Sequence, residues 1–140
     1  MTDASPPVEP ADGPLPAALL ALGFVLYAAV GGLSATFEIL LIPLRIGSTL
    51  IPITIVLVVA GNVLLPRLSR NLNSATSGAL PPIIGWMIVL STFISSRPEG
   101  DVLLPGGGNV QYVSYGLMLA GMLAGVTSVL LSSRGLRGHP

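Results

Sequence analysis

The chain has 140 residues and zero formal net charge, and is 51% hydrophobic but only 9% charged, where a soluble domain carries about 25% charged residues. So few polar groups cannot cover a water-facing surface, and the composition points to an integral membrane protein in place of an ordinary soluble domain. Neutrality without a clustered basic face excludes a nucleic-acid-binding module, and the lack of cysteine removes disulfides, thiolate metal sites and cysteine nucleophiles.

Residues 1–14, "MTDASPPVEPADGP", form a proline-rich acidic leader without arginine. It reads as a disordered tail. It also lacks the basic start and cleavage site of a secretory signal, so the apolar run behind it is expected to be retained.

From 15 to 133 the chain reads as a four-helix transmembrane domain. A span needs roughly 20 mostly apolar residues, because each adds about 1.5 Å to a hydrocarbon core about 30 Å thick. The first span covers about 15–42. Its run "FEILLIPLRIGS" carries Glu38 near its end, with Arg45 beyond Pro43. A helix starting near Leu15 has crossed the core by about residue 35, so the expectation is an interfacial ion pair, Glu38 with Arg45, flanking an elbow at the outer surface. The competing reading makes Glu38 a working intramembrane carboxylate.

The second span covers about 46–65, with Pro52 near its start and Pro66 just after it. Asn62 near its inner end is expected to bond a neighbouring helix or backbone. Arg67 and Arg70 follow, as candidate contacts to anionic headgroups. The third span, about 79–96, opens on Pro81 and Pro82, where missing amide donors cost little. It contains Trp86, which with Tyr112 and Tyr115 is a candidate interfacial anchor, the alternative for Trp86 being a position too deep for that role. The loop to the fourth span contains "PGGGN" at 105–109, which is not a phosphate loop: no Lys-Ser/Thr follows and no strand precedes.

The fourth span, about 110–131, carries small residues every four positions: Gly116, Ala120, Ala124 and Ser128, with Gly121 and Gly125 as a parallel track. Residues four apart share a helix face, and close packing of small residues is how membrane helices associate. The six form a candidate packing or partner interface, internal packing being the simpler use. Ala28, Gly31, Gly32 and Ala35 make a shorter version on the first span. Met118 and Met122 read as adaptable packing. Residues 134–140 form a short basic tail in which Arg134 and Arg137 are further candidate headgroup contacts and His139 stands alone.

With four spans, Arg67, Arg70, Arg134 and Arg137 share a side with both termini, against Arg45 and Arg97 opposite. The positive-inside rule then puts the termini in the cytoplasm. The expected fold class is therefore an all-α integral membrane protein of four transmembrane helices, multi-pass in the plasma (inner) membrane. No catalytic constellation, cofactor site or metal cluster can be assembled from these residues. An enzyme is not expected.

The leader, the four spans, "FEILLIPLRIGSTLIPI", "NVLLPRLSRN" and the arginine-containing tail together resemble small actinobacterial membrane proteins. Within that group they resemble the accessory, lipid-uptake coordinator subunit of mycobacterial Mce lipid-import complexes. The resemblance implies a non-catalytic protein that docks beside the permease subunits of an ABC-type importer, with membrane lipids and that complex as partners. It transfers no binding residues. The alternative expectation is a small homo-oligomeric transporter or channel using Glu38.

Overall fold

A computed structural model describes residues 15–72, 76–94, 108 and 110–134. The leader, Arg97, Glu99, Asp101, most of "PGGGN", Arg137 and His139 lie outside the described residues. Four α-helices dominate: α1 (Ala17–Leu40), α2 (Ile53–Ser69), α3 (Leu80–Ile94), preceded by a 3-10 turn (Thr76–Ala79), and α4 (Val110–Arg134). A short antiparallel hairpin, β1 (Arg45–Ile46) with β2 (Thr49–Leu50), joins α1 to α2. Three helical stretches, Ala17–Leu40, Ser77–Ile94 and Val110–Leu131, are long and apolar enough to cross a membrane; α2, at 17 residues, is shorter.

Local chemistry sets these bounds. Pro16 caps α1 and accepts the first helical bond from Leu20 N–H at 3.1 Å. The apolar run was expected to stay helical to residue 42, but α1 stops at Leu40. Pro43 has no amide donor and disfavours helical backbone at the residue before it. The second span was expected to begin at residue 46. Instead Arg45 pairs with Leu50 and Ile46 with Thr49, and Ile51 N–H bonds Leu44 O at 3.0 Å to close the base. Gly47 at φ +62 is the first of the two turn residues, and no non-glycine among the described residues has positive φ. That is the signature of a type II′ hairpin, in which only the first central residue needs glycine's freedom. Helix α2 follows Pro52 and runs through Pro66, which was expected to lie beyond it. A proline one turn from a helix end removes a single ladder bond, a loss the last turn tolerates.

Neighbouring residues give the helix directions. Gly23 lies against Leu72 and Gly61 against Ser34 and Glu38, so α1 and α2 are antiparallel. Gly121 meets Trp86 and Gly125 meets Ile83, so α3 and α4 are antiparallel, whereas Ile55 beside Gly116 and Val58 beside Gly121 make α2 and α4 parallel. The most extensive packing is α1 on α3 and α2 on α4, and α2 touches all three other helices. The α1–α3 contact is backbone to backbone: a Cβ on Gly31 would meet the Pro82 carbonyl, and one on Gly85 the Ala28 carbonyl. Glycine at both crossing points is what lets the two main chains approach so closely. The core is Ala35, Ile39, Ile42, Val58, Trp86, Leu90, Val113 and Leu117.

Candidate functional site: the carboxylate at the four-helix junction

Glu38 sits two residues from the end of α1 and is 2% exposed. Both carboxylate oxygens are engaged. The Trp86 indole N–H, from α3, donates to Oε2 at 2.7 Å, and the Ser34 hydroxyl, one turn earlier on α1, donates to Oε1 at 2.8 Å. Two neutral donors aimed at two acceptor oxygens satisfy the acid without a cation. The expectation of an interfacial ion pair with Arg45 is therefore corrected. Arg45 is exposed on the hairpin, and Glu38 points into the bundle. The axial position inferred from the sequence, near the end of the first helix, agrees with α1; the direction of the side chain does not. Trp86, a candidate interfacial anchor, is likewise an interior residue at 2% exposure.

The remaining two helices complete the junction. On α2, Gly61 passes so close that a Cβ there would lie 2.9 Å from Ser34 Oγ and 3.3 Å from Glu38 Oε1. On α4, a Cβ at Gly121 would lie 2.6 Å from Trp86 Cζ2 and 2.8 Å from Val58 Cγ2. All four helices thus contribute: an acid and a hydroxyl from α1, a close glycine from α2, the indole from α3 and a glycine bed for the ring from α4. Trp86 was the missed partner. The available signal was that an indole N–H placed deep among apolar residues needs an acceptor.

The small residues of α4 face inward. Gly121, Gly125 and Ser128 are buried, Gly116 lies against Ile55, and Ala120 and Ala124 are half-buried. Asn62 is buried and donates to backbone, Val58 O of its own helix, at 3.1 Å. Arg67 is exposed, Arg70 is half-buried at the end of α2, and Arg134 is the last residue of α4. Met118 packs on the core and Met122 is exposed. Tyr112 and Tyr115 are exposed at the start of α4, where Gln111 donates to Tyr115 Oη at 2.8 Å.

Beside the junction lies an open groove of about 490 Å³ between α1 and α2. Its walls are apolar (Val30, Leu33, Phe37, Leu57, Leu64 and Leu68 among them), apart from Ser34 and Glu38 at the end nearest the hairpin.

These features define an all-helical protein with three helices long and apolar enough to cross a membrane and, among the described residues, one interior carboxylate. Comparison with protein-family models, with curated proteins and with solved structures finds no match to this chain.

Proposed function

We propose that the protein is a four-span subunit of the plasma (inner) membrane, with both termini cytoplasmic, that works without catalysis by docking on a larger membrane complex. The complex proposed is a lipid-import transporter of the ABC-type Mce kind, as the sequence resemblance implies. The observation that carries this reading is the outer face of α1. Leu19, Leu22, Val25, Leu26, Leu33 and Phe37 are all more than half exposed, giving a long apolar surface that nothing among the described residues covers. Docking is accordingly assigned to α1, because the small residues of α4 are consumed in internal packing. The span count is supported by the reversal of direction between α1 and α2 and between α3 and α4. The orientation rests on the arginine asymmetry.

Purification of the tagged protein from native membranes in mild detergent tests the reading. Recovery with large permease-type subunits is the expected result, reduced when Leu22 and Val25 are both changed to serine. Recovery of the protein alone, at full yield, refutes it.

A second reading, a small homo-oligomeric transporter using Glu38, is favoured by one observation: the acid lies inside the bundle beside an open groove. Its test is flux in proteoliposomes. A flux abolished by Glu38→Gln supports it, and a flux unaffected by that change removes Glu38 from the mechanism.

A further inference from the structure

From the α1–α2 groove we infer a binding site for a cationic amphiphile, whose ammonium head meets the Ser34–Glu38 pair and whose alkyl chain lies along the apolar walls. The site needs neither transport nor a partner complex. It rests on the membrane placement proposed above, which is checked first and separately by retention in alkali-washed membranes.

Three observations carry the inference. The first is polarity along the groove. Its only polar residues, Ser34 and Glu38, lie at the hairpin end, and from there it runs past Leu33, Leu64 and Leu68. At 1.5 Å per residue the lining extends about 12 Å along α1 and about 16 Å along α2, the reach of a medium alkyl chain. An amphiphile seated this way has its head level with the end of α1 and its tail pointing toward the bilayer centre, the orientation it already has in one leaflet.

The second is charge. Among the described residues Glu38 accepts hydrogen bonds from a hydroxyl and an indole alone. Among the described residues no cationic side chain pairs with it, and Arg45 of the adjacent hairpin is exposed. A buried carboxyl group without a counter-cation is costly to ionise; an ammonium head placed against it favours the charged form and an anionic headgroup disfavours it, which decides the sign of the occupant.

The third is the layering of the wall. Ser34 is half-buried and lines the groove together with Glu38, while Gly61 has no side chain to cover either. An ammonium N–H donates to Glu38 Oε1 in place of the Ser34 hydroxyl. Ser34 turns about its χ1 bond to accept a second N–H from the same head. Trp86 keeps its bond to Oε2 throughout and reports the change as the single tryptophan of the chain.

The test titrates dodecylammonium into the protein in neutral-lipid nanodiscs and follows Trp86 emission. Dodecanol and dodecyl sulfate serve as chain-matched comparators. A saturable shift with dodecylammonium alone is expected. Glu38→Gln weakens it at least about ten-fold, as a charge-assisted hydrogen bond becomes a neutral one. Ala60→Phe, which fills the groove without touching the carboxylate, abolishes the shift while the melting temperature is retained. If Glu38→Gln does not fold, the comparators and Ala60→Phe decide. An equal response to dodecanol overturns the inference in favour of a plain acyl-chain groove. Unchanged affinity in Glu38→Gln, or in Ala60→Phe, overturns it as well.

Discussion

Gly121 and Gly125 are one helical turn apart on α4, yet alanine at the two positions has opposite consequences. At Gly121 the new Cβ falls 2.6 Å from Trp86 Cζ2, 2.7 Å from Cη2 and 2.8 Å from Val58 Cγ2. Carbon–carbon contacts settle at about 3.5–4.0 Å, so the ring has to retreat by roughly 1 Å. It has nowhere to go. Trp86 is 2% exposed, and its N–H is committed to Glu38 at 2.7 Å. Overpacking of this kind costs about 1–3 kcal/mol, and displacing the charge-assisted bond adds about 1.5–3 kcal/mol. The helix-propensity gain of Gly→Ala returns at most about 1 kcal/mol. The net expectation for Gly121→Ala is a loss of about 1.5–5 kcal/mol. At Gly125 the nearest atoms, on Ile83, are 3.6 Å from the added carbon, an ordinary contact. Gly125→Ala is therefore expected to be neutral or to stabilise by up to about 1 kcal/mol. Reversible unfolding in mixed micelles, titrated with dodecyl sulfate and followed by circular dichroism, measures both on one scale. Equal stabilities, or a greater loss at Gly125, refute the placement of Trp86 on α4.

The other predictions concern the same interior. Gly85→Ala brings a methyl group into the Ala28 carbonyl, where only backbone can yield; it should cost at least as much as Gly121→Ala and lower the yield of folded protein on size exclusion. Glu38→Gln should stay within about 1 kcal/mol of the parent, because the amide can offer its oxygen to Trp86 and its nitrogen to Ser34 Oγ, whereas Glu38→Leu strands both donors and should cost about 1–3 kcal/mol. A Gln variant as unstable as the Leu variant, in the same unfolding assay, contradicts that bonding scheme. Thr54 is fully buried and its Oγ1 has no hydrogen-bond partner among the described residues, so the near-isosteric Thr54→Val should leave stability unchanged or raise it by about 1–2 kcal/mol; a clear loss in thermal melting would show that the hydroxyl is satisfied.

Much of the helix plan was legible from hydropathy and proline. The four apolar runs correspond to the four helices, and Pro16, Pro52, Pro81 and Pro82 all fall at or within the first turn of one. The hairpin at Arg45–Leu50 carried a readable turn signal in Gly47-Ser48, but it lies within an apolar stretch that reads equally well as the start of a helix. Pro66 misled in the opposite direction, since a helix can run a few residues past a proline. On α4 the small side chains at four-residue spacing are buried or half-buried. That spacing could not say that Trp86 occupies it at Gly121 and only Ile83 at Gly125.

Glu38 shows where the division lies. By itself the sequence determined how far along the first helix the acid stands, because residues advance a helix by a constant rise. It also determined that so few charges must sit among a large excess of apolar side chains. The direction in which Glu38 points was a different matter. Helix α1 is apolar on nearly every side, so its sequence has no polar stripe to orient it. Only the tertiary structure decided the rotation: glycines at 31 and 85 bring α1 against α3 and deliver the Trp86 indole to the carboxylate. A hydrogen bond between residues 48 positions apart depends on which helices meet and at what depth, and no local pattern encodes that.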